Sequence, residues 1–287
     1  MNNEINSLFL KLKDETLYKV SASGNDFIVL LNFEGKFTPE EGTALAKRLC
    51  RDKFSVSADG FILIERPLHP QAHVAWKFFN RDGSIAEMCG NGARAVARLL
   101  YHLELVPNPF YLETLAGLIF CQVKGERVKV ALGKPRDLKL NLALKSDYDM
   151  YLVHFVNTGV PHVVLFWEDI DTAPVEKIGP LIRYHEAFKP AGTNVNFLQP
   201  LEEDGKTYLK IRTYERGVEA ETLACGTGAC ASAFISAELG LVNYPVSVLT
   251  RSGELLIIDW DEEKETLYLE GQASLIFKFN IYQDALK

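Results

Sequence analysis

The stretch "EMCGNGARAVARLL" (Glu87–Leu100) places a cysteine before Gly-Asn-Gly and then runs into an apolar segment. A second stretch, "LACGTGACASAFIS" (Leu223–Ser236), does the same in the other half of the chain. Both contain Cys-Gly-x-Gly-Ala. After the first cysteine, Ala93, Ala95, Val96, Ala97, Leu99 and Leu100 leave only Arg94 and Arg98 strongly polar. After the second, Ala229, Cys230, Ala231, Ala233, Phe234, Ile235 and Ala237 leave no polar face. A helix that is apolar nearly all round is buried. Two buried helices, each opened by a cysteine, predict a duplicated architecture.

The flanking sequence predicts what surrounds these helices. "LYKVSA", "DFIVLL", "DGFILIER", "AHVAWKFFN", "FYLETLAGLIFCQVKGERVKVAL" and "YLVHFVNTG" are rich in β-branched and aromatic residues and bounded by Gly, Asn, Asp or Pro. The second half continues with "TNVNFLQ", "YLKIRTYE", "VSVLTRSGELLIIDW" and "TLYLEGQASLIFKFNIY". "TPEEGTALAKRLC" reads as a helix capped by Thr38 with Pro39 in its first turn. "EKIGPLIRYHEAF" reads as a short helix. The expected fold class is α/β of the α+β type. It has two pseudo-symmetric domains, each a curved, mostly antiparallel β-sheet wrapped around a central helix. The charged segment Gly133–Met150 is the expected crossing between them.

Composition narrows the function. The 287 residues are 47% apolar and 24% charged, with a net charge of −7 and no long basic cluster. That balance argues against nucleic acid as the main partner. No apolar run approaches the ~20 residues of a spanning helix, and the N-terminus does not resemble a secretory signal. A cytoplasmic enzyme with no membrane partner is expected. The five cysteines are scattered, with no CxxC, so neither a disulfide framework nor a metal site is expected. Cys50, Cys121 and Cys230 read as ordinary buried cysteines.

Cys89 and Cys225 read differently. A helix start offers unpaired N–H groups and partial positive charge. Glycines there let an anion approach the amides, and the field favours thiolate. A thiolate serves as a base or a nucleophile. Two such groups, one per domain, suit inversion at a carbon centre. One group removes a proton from one face and the other delivers a proton to the opposite face. Helix amides gripping the substrate carboxylate would stabilise the enolate-like charge. No dinucleotide-binding turn is evident, so a cofactor-independent racemisation or epimerisation is expected.

"SGNDFIVL", "FFNRDGSIAEMCGNGARAVAR", "NTGVPHVVLF", "GTNVNFLQ" and "YERGVEAETLACGTGACASA", in that order, resemble diaminopimelate epimerases over about Tyr18–Phe279. The resemblance implies a pyridoxal-independent isomerase that interconverts LL- and meso-diaminopimelate for lysine and peptidoglycan synthesis. It acts on a small amino-acid substrate, without metal, as a homodimer. It implies domains of residues 1–133 and 134–271, strand 272–287 returning to the first domain, and a site in the cleft. It makes Cys89 and Cys225 the acid/base pair. Asn25, Asn80 and Asn194 would hold substrate polar groups, and Gly90, Asn91, Gly226 and Thr227 would supply helix-start contacts. Glu215 and Arg216 would bind the non-reacting end, and His162 would line the pocket. Glu221 would position the loop before Cys225, whereas Glu219 and Arg81 read as solvent-facing charges.

The chain departs from the family pattern at Val160, Gly60 and Ala22, which bears on the fit to the far end of the substrate. A proline racemase-like enzyme would carry histidine after the first Cys-Gly and Ser-Pro before the second cysteine. Here those positions hold Asn91 and Leu223-Ala224. A catalytically inactive amino-acid-binding protein is the non-enzymatic reading, and retention of both thiols argues against it.

Overall fold

The computed structural model describes residues 2–145 and 149–287. The chain divides into two compact units, residues 1–130 with 272–287, and residues 131–271.

Unit 1 runs α1 (Asn2–Leu12), β1 (Leu17–Ala22), β2 (Asn25–Leu31), α2 (Pro39–Leu49), β3 (Gly60–Glu65), β4 (Val74–Asn80), β5 (Ile85–Ala86), α3 (Gly90–His102), β6 (Phe110–Thr114), β7 (Gly117–Lys124) and β8 (Arg127–Gly133). Unit 2 runs β9 (Arg136–Lys145), β10 (Met150–Asn157), β11 (Pro161–Phe166), α4 (Val175–Arg183), β12 (Asn194–Glu203), β13 (Lys206–Glu215), β14 (Ala220–Thr222), α5 (Gly226–Glu238), β15 (Val246–Leu249), β16 (Leu255–Asp261) and β17 (Thr266–Gln272). Strand β18 (Ser274–Phe279) follows and pairs antiparallel with β1.

The pairings of the two units match step for step. In unit 1, β1–β2 is antiparallel, β2–β3 parallel across α2, β3–β4 antiparallel, and β4 carries short β5 before α3. After α3, β6 pairs parallel with β4, and the β6–β7–β8 meander follows. In unit 2, β10–β11, β11–β12, β12–β13 and β13–β14 repeat this sequence of hands before α5. Then β15 pairs parallel with β13, and β15–β16–β17 closes it. β18 stands beside β1 where β9 stands beside β10. The fold is α+β, two pseudo-symmetric halves built on mostly antiparallel strands.

Local chemistry explains the helices. Thr38 Oγ1 accepts from Glu41 N at 3.3 Å, and Glu41 Oε2 accepts from Thr38 N at 3.0 Å. This is a reciprocal cap with Pro39 at the first helical position. α3 packs on β1, β2, β7 and β18, and α5 on β10, β11, β12, β13, β15 and β16. Each is thus the central helix of its unit. α2 and α4 cover other strand faces, α2 against β3 and β4, α4 against β12 and β13. They use the same device. A Cβ at Gly42 would lie 2.4 Å from Phe79 Cζ, and one at Gly179 would lie 2.6 Å from Tyr214 Cγ. In both units a helical glycine lets an aromatic ring of the equivalent strand, β4 or β13, approach the helix backbone.

Two local expectations are corrected and one element not read from the sequence is added. The segment Gly133–Met150 contains strand β9, paired with β10. Leu138, Leu140, Leu142 and Leu144 alternate with period two, a signal obscured by the charges around them; Ser146–Tyr148 lie outside the described residues. The N-terminus forms α1, whose Ile5, Leu8 and Leu12 join a core with Leu45, Leu49, Phe61 and Phe79. The helix expected over "EKIGPLIRYHEAF" stops at Arg183, and a separate 3-10 turn covers Glu186–Phe188. Among the described residues no helix is long and apolar enough to cross a membrane.

Candidate active site

Cys89 and Cys225 are the N-cap residues of α3 and α5, both with extended backbone. In unit 1, Cys89 Sγ accepts from Gly92 N at 3.4 Å. It therefore lies among the donor groups of the first turn, where negative charge is favoured. Asn91 follows in that turn and donates through Nδ2 to Asn25 Oδ1 at 2.7 Å. Asn25 opens β2 and donates to Asp59 Oδ2 at 3.0 Å. Asn80 stands apart from these bonds. It is exposed at the end of β4 and donates to Ser84 Oγ at 3.0 Å within a turn.

In unit 2 the sequence-selected residues converge more closely. His162 is paired in register with Asn194 across β11 and β12. Asn194 Oδ1 accepts from Arg216 N at 2.9 Å, and its Nδ2 donates to Pro161 O at 3.0 Å. This ties the end of β13, where Glu215 and Arg216 stand, to the His162 strand. His162 Nε2 lies 2.9 Å from Thr227 Oγ1, which in turn lies 3.5 Å from Cys225 Sγ.

Two residues outside the sequence selection fix the chemistry of His162. Asn196 Nδ2 donates to Val163 O at 2.8 Å and lies 3.1 Å from His162 Nδ1. Thr213 Oγ1 donates to Asn196 Oδ1 at 2.9 Å. The carbonyl can only accept, so the amide orientation is set and Nδ1 of the imidazole is the acceptor. Nε2 then carries the proton and donates to Thr227, leaving the Thr227 hydroxyl hydrogen free to point at Cys225 Sγ. A signal for Asn196 was present in the sequence, since it lies two positions from Asn194 and shares its strand face.

His162 is fully buried. Burial, with the Arg216 charge adding to it, holds its pKa down at about 3. The imidazole is therefore neutral at neutral pH, which agrees with the tautomer above. The unfolded chain protonates this histidine below about pH 6.5, whereas the folded protein waits until about 3. Between those values the unfolded state binds more protons, so this group lowers stability as pH falls. His162→Gln is expected to shrink the drop in urea midpoint between pH 7 and pH 5. An unchanged drop would mean that the imidazole is already protonated in the fold.

Two of the helix-start glycines differ in how tightly they are packed. A Cβ on Gly228 would stand 2.3 Å from Asn196 Oδ1, so this glycine admits the amide that holds His162. At Gly92 a Cβ would meet Trp76 at 3.4 Å, an ordinary contact. Gly228→Ala is expected to cost about 1–3 kcal/mol, with Gly92→Ala much milder. Equal urea midpoints for the two variants would remove the packing explanation.

The loop before Cys225 is braced by charge. Arg212 Nε and Nη2 each lie 2.7 Å from the Glu221 carboxylate. Arg212 Nη1 also donates to the carbonyls of Ile170 and Ala173. Glu219, expected in solvent, instead accepts from Arg183 Nη2 at 3.0 Å and from Gly217 N at 3.0 Å. Arg81 is exposed and forms a two-pronged pair with Asp52. The remaining cysteines are buried. Desolvation pushes the Cys50 thiol up to about 12 and Cys121 higher still, so both are inert acids at neutral pH.

The family model described as diaminopimelate epimerase matches residues 17–138 and 154–276. The chain belongs to the diaminopimelate epimerase family. It is 45% identical over 279 residues to the diaminopimelate epimerase of Aquifex aeolicus (strain VF5), covering 94% of this chain and 99% of that one. It is 39% identical to the diaminopimelate epimerase of Methanocella arvoryzae, covering 93% and 96% respectively. Among solved structures it resembles a Bacillus anthracis phenazine biosynthesis protein of the PhzF family, with TM-score 0.71 and 15% identity over 93% of this chain and 99% of that chain. It also resembles a hydroxyproline epimerase from Agrobacterium vitis, with TM-score 0.69 and 14% identity over 93% and 92%. These likenesses concern the fold. Within the diaminopimelate epimerase family the chain is an isomerase. Its departure at Gly60 has a packing basis, since a Cβ there would meet Phe78 Cε2 at 2.4 Å and Phe79 O at 2.9 Å.

Proposed function

We propose that the chain interconverts LL- and meso-diaminopimelate in the cytoplasm by a two-base mechanism, without an organic cofactor or a metal. The product serves lysine and peptidoglycan precursor synthesis. One observation carries this reading. Each topologically equivalent helix is capped by a cysteine, in a family whose relatives are diaminopimelate epimerases.

Cys89 and Cys225 serve as the acid/base pair at the α-carbon. One thiolate takes the α-proton and the electron pair passes into the substrate carboxylate. The other thiol then delivers its proton to the opposite face. The first-turn amides at Gly90–Asn91 and Gly226–Thr227 grip the carboxylate and stabilise its growing charge. His162, neutral and donating to Thr227, orients the hydroxyl toward Cys225 Sγ. Asn25, Asn80, Asn194, Glu215 and Arg216 bind the polar groups of the substrate, the last two at its non-reacting end.

The test is turnover in heavy water. Early product should carry solvent deuterium at the inverted carbon, while recovered substrate stays nearly unlabelled. Equal early labelling of both would point to one shuttling base. Faster turnover of proline than of diaminopimelate would overturn the substrate assignment.

A further inference from the structure

Arg94 is fully buried inside α3, yet no step above uses it. Its Nη2 donates to Asn91 Oδ1 at 2.9 Å and also to Ser23 Oγ. Ser23 and Gly24 form the two-residue turn between β1 and β2, both with positive φ, at 51° and 82°. That is the geometry of a tight hairpin turn. Asn25 follows it directly. One guanidinium nitrogen therefore holds both the turn that delivers Asn25 and the side chain of Asn91.

From Arg94 the bonds continue in one direction. Asn91 Nδ2 donates to Asn25 Oδ1 at 2.7 Å, and Asn25 Nδ2 donates to Asp59 Oδ2 at 3.0 Å. Asp59 Oδ2 also accepts from Asp26 N at 3.1 Å. The chain of two amides thus starts on a group that can only donate and ends on one that can only accept. A flipped Asn91 would turn its N–H groups toward the guanidinium, and a flipped Asn25 would turn its oxygen toward the carboxylate. Each amide keeps a second N–H that the relay does not use. Bonds that polarise one another in series strengthen together.

We propose that Arg94 is a positioning residue, acting through the Arg94–Asn91–Asn25–Asp59 relay to aim the spare amide N–H groups of Asn91 and Asn25 at the substrate. The proposal rests on the functional reading above. At this place the buried cation sets the direction of both amides and anchors the Ser23–Gly24 turn. Lysine would be a poor replacement, since its ammonium lacks the planar fork of the guanidinium.

The experiment compares Arg94→Met, Arg94→Lys, Asp59→Asn and the double variant Arg94→Met/Asp59→Asn. It reads kcat and KM for diaminopimelate epimerisation, and the side-chain amide signals of Asn25 and Asn91 in protein labelled with 15N-asparagine. Arg94→Met should lower kcat/KM by about tenfold or more, with Arg94→Lys in between. Asp59→Asn alone should cost little, because its own oxygen still faces Asn25. With neither end fixed the amides can flip, so the double variant should fall by more than the product of the single losses. The Asn25 amide signals should shift in Arg94→Met although Arg94 does not touch that side chain. Unshifted Asn25 signals, or losses that multiply or fall short of multiplying, overturn the proposal. If the Asn25 signals shift but the wild type does not epimerise diaminopimelate, the relay stands and the functional reading fails.

Discussion

Cys89→Ala and Cys225→Ala are each expected to reduce epimerisation by about 10²–10⁴-fold or more, the range lost with a general acid or base. The folded state should survive both changes. Cys89 is only half-buried, and Cys225 makes a weak 3.5 Å contact with Thr227, so alanine leaves no large cavity. Groups that act as a unit give non-additive losses. The double variant should therefore be hardly worse than either single one. The check is kcat for both directions of the reaction, with thermal melting to verify folding. Comparable activity in either purified variant would defeat the two-base assignment.

Arg212→Met should cause the largest loss of stability. The Arg212 and Glu221 side chains are only 11% and 13% exposed. Removing one partner of such a pair leaves a charge that is hard to solvate, a loss of about 3–5 kcal/mol. Arg251 Nε, 3.6 Å from Glu221, offsets part of it, so about 3 kcal/mol is the expected fall in urea unfolding free energy. Arg212 also donates to the carbonyls of Ile170 and Ala173, each of which keeps one backbone donor when it is lost. The effect should reach the site. Glu221 lies on β14, and only Thr222, Leu223 and Ala224 separate it from Cys225. Glu221→Gln keeps hydrogen-bonding capacity and should lose less. A fall below about 1 kcal/mol for Arg212→Met would show the pair behaving like an exposed one.

Residues whose role depends on local pattern were legible from the chain. The capping box at Thr38 needs only positions 38 to 41. The apolar circumference of α3 and α5, with a cysteine at each start, announced two buried helices with equivalent ends. Motif order pointed to Asn25, Asn91, His162, Asn194 and Arg216. In the structure Asn25 bonds to Asn91, and His162, Asn194 and Arg216 are tied together through β11 and β12. The β9 alternation was also present in the chain, but its single well-buried leucine, Leu144, lies among exposed charges.

The amino-acid sequence by itself determined the fold class, the family and the placement of a cysteine at the start of each central helix, because periodicity and motif spacing are properties of neighbours along the chain. The tertiary structure alone decided what holds those groups. Arg94 looked like a polar exception on an apolar helix, yet it is fully buried against Ser23, 71 residues away. Asn196 reached significance through His162 and Thr213, 34 and 17 residues away. Gly228 is required by the Asn196 amide that packs over it. The physical reason is the same in each case. A buried polar group must find its partner in space, and strand register chooses that partner from segments whose separation along the chain carries no trace of the contact.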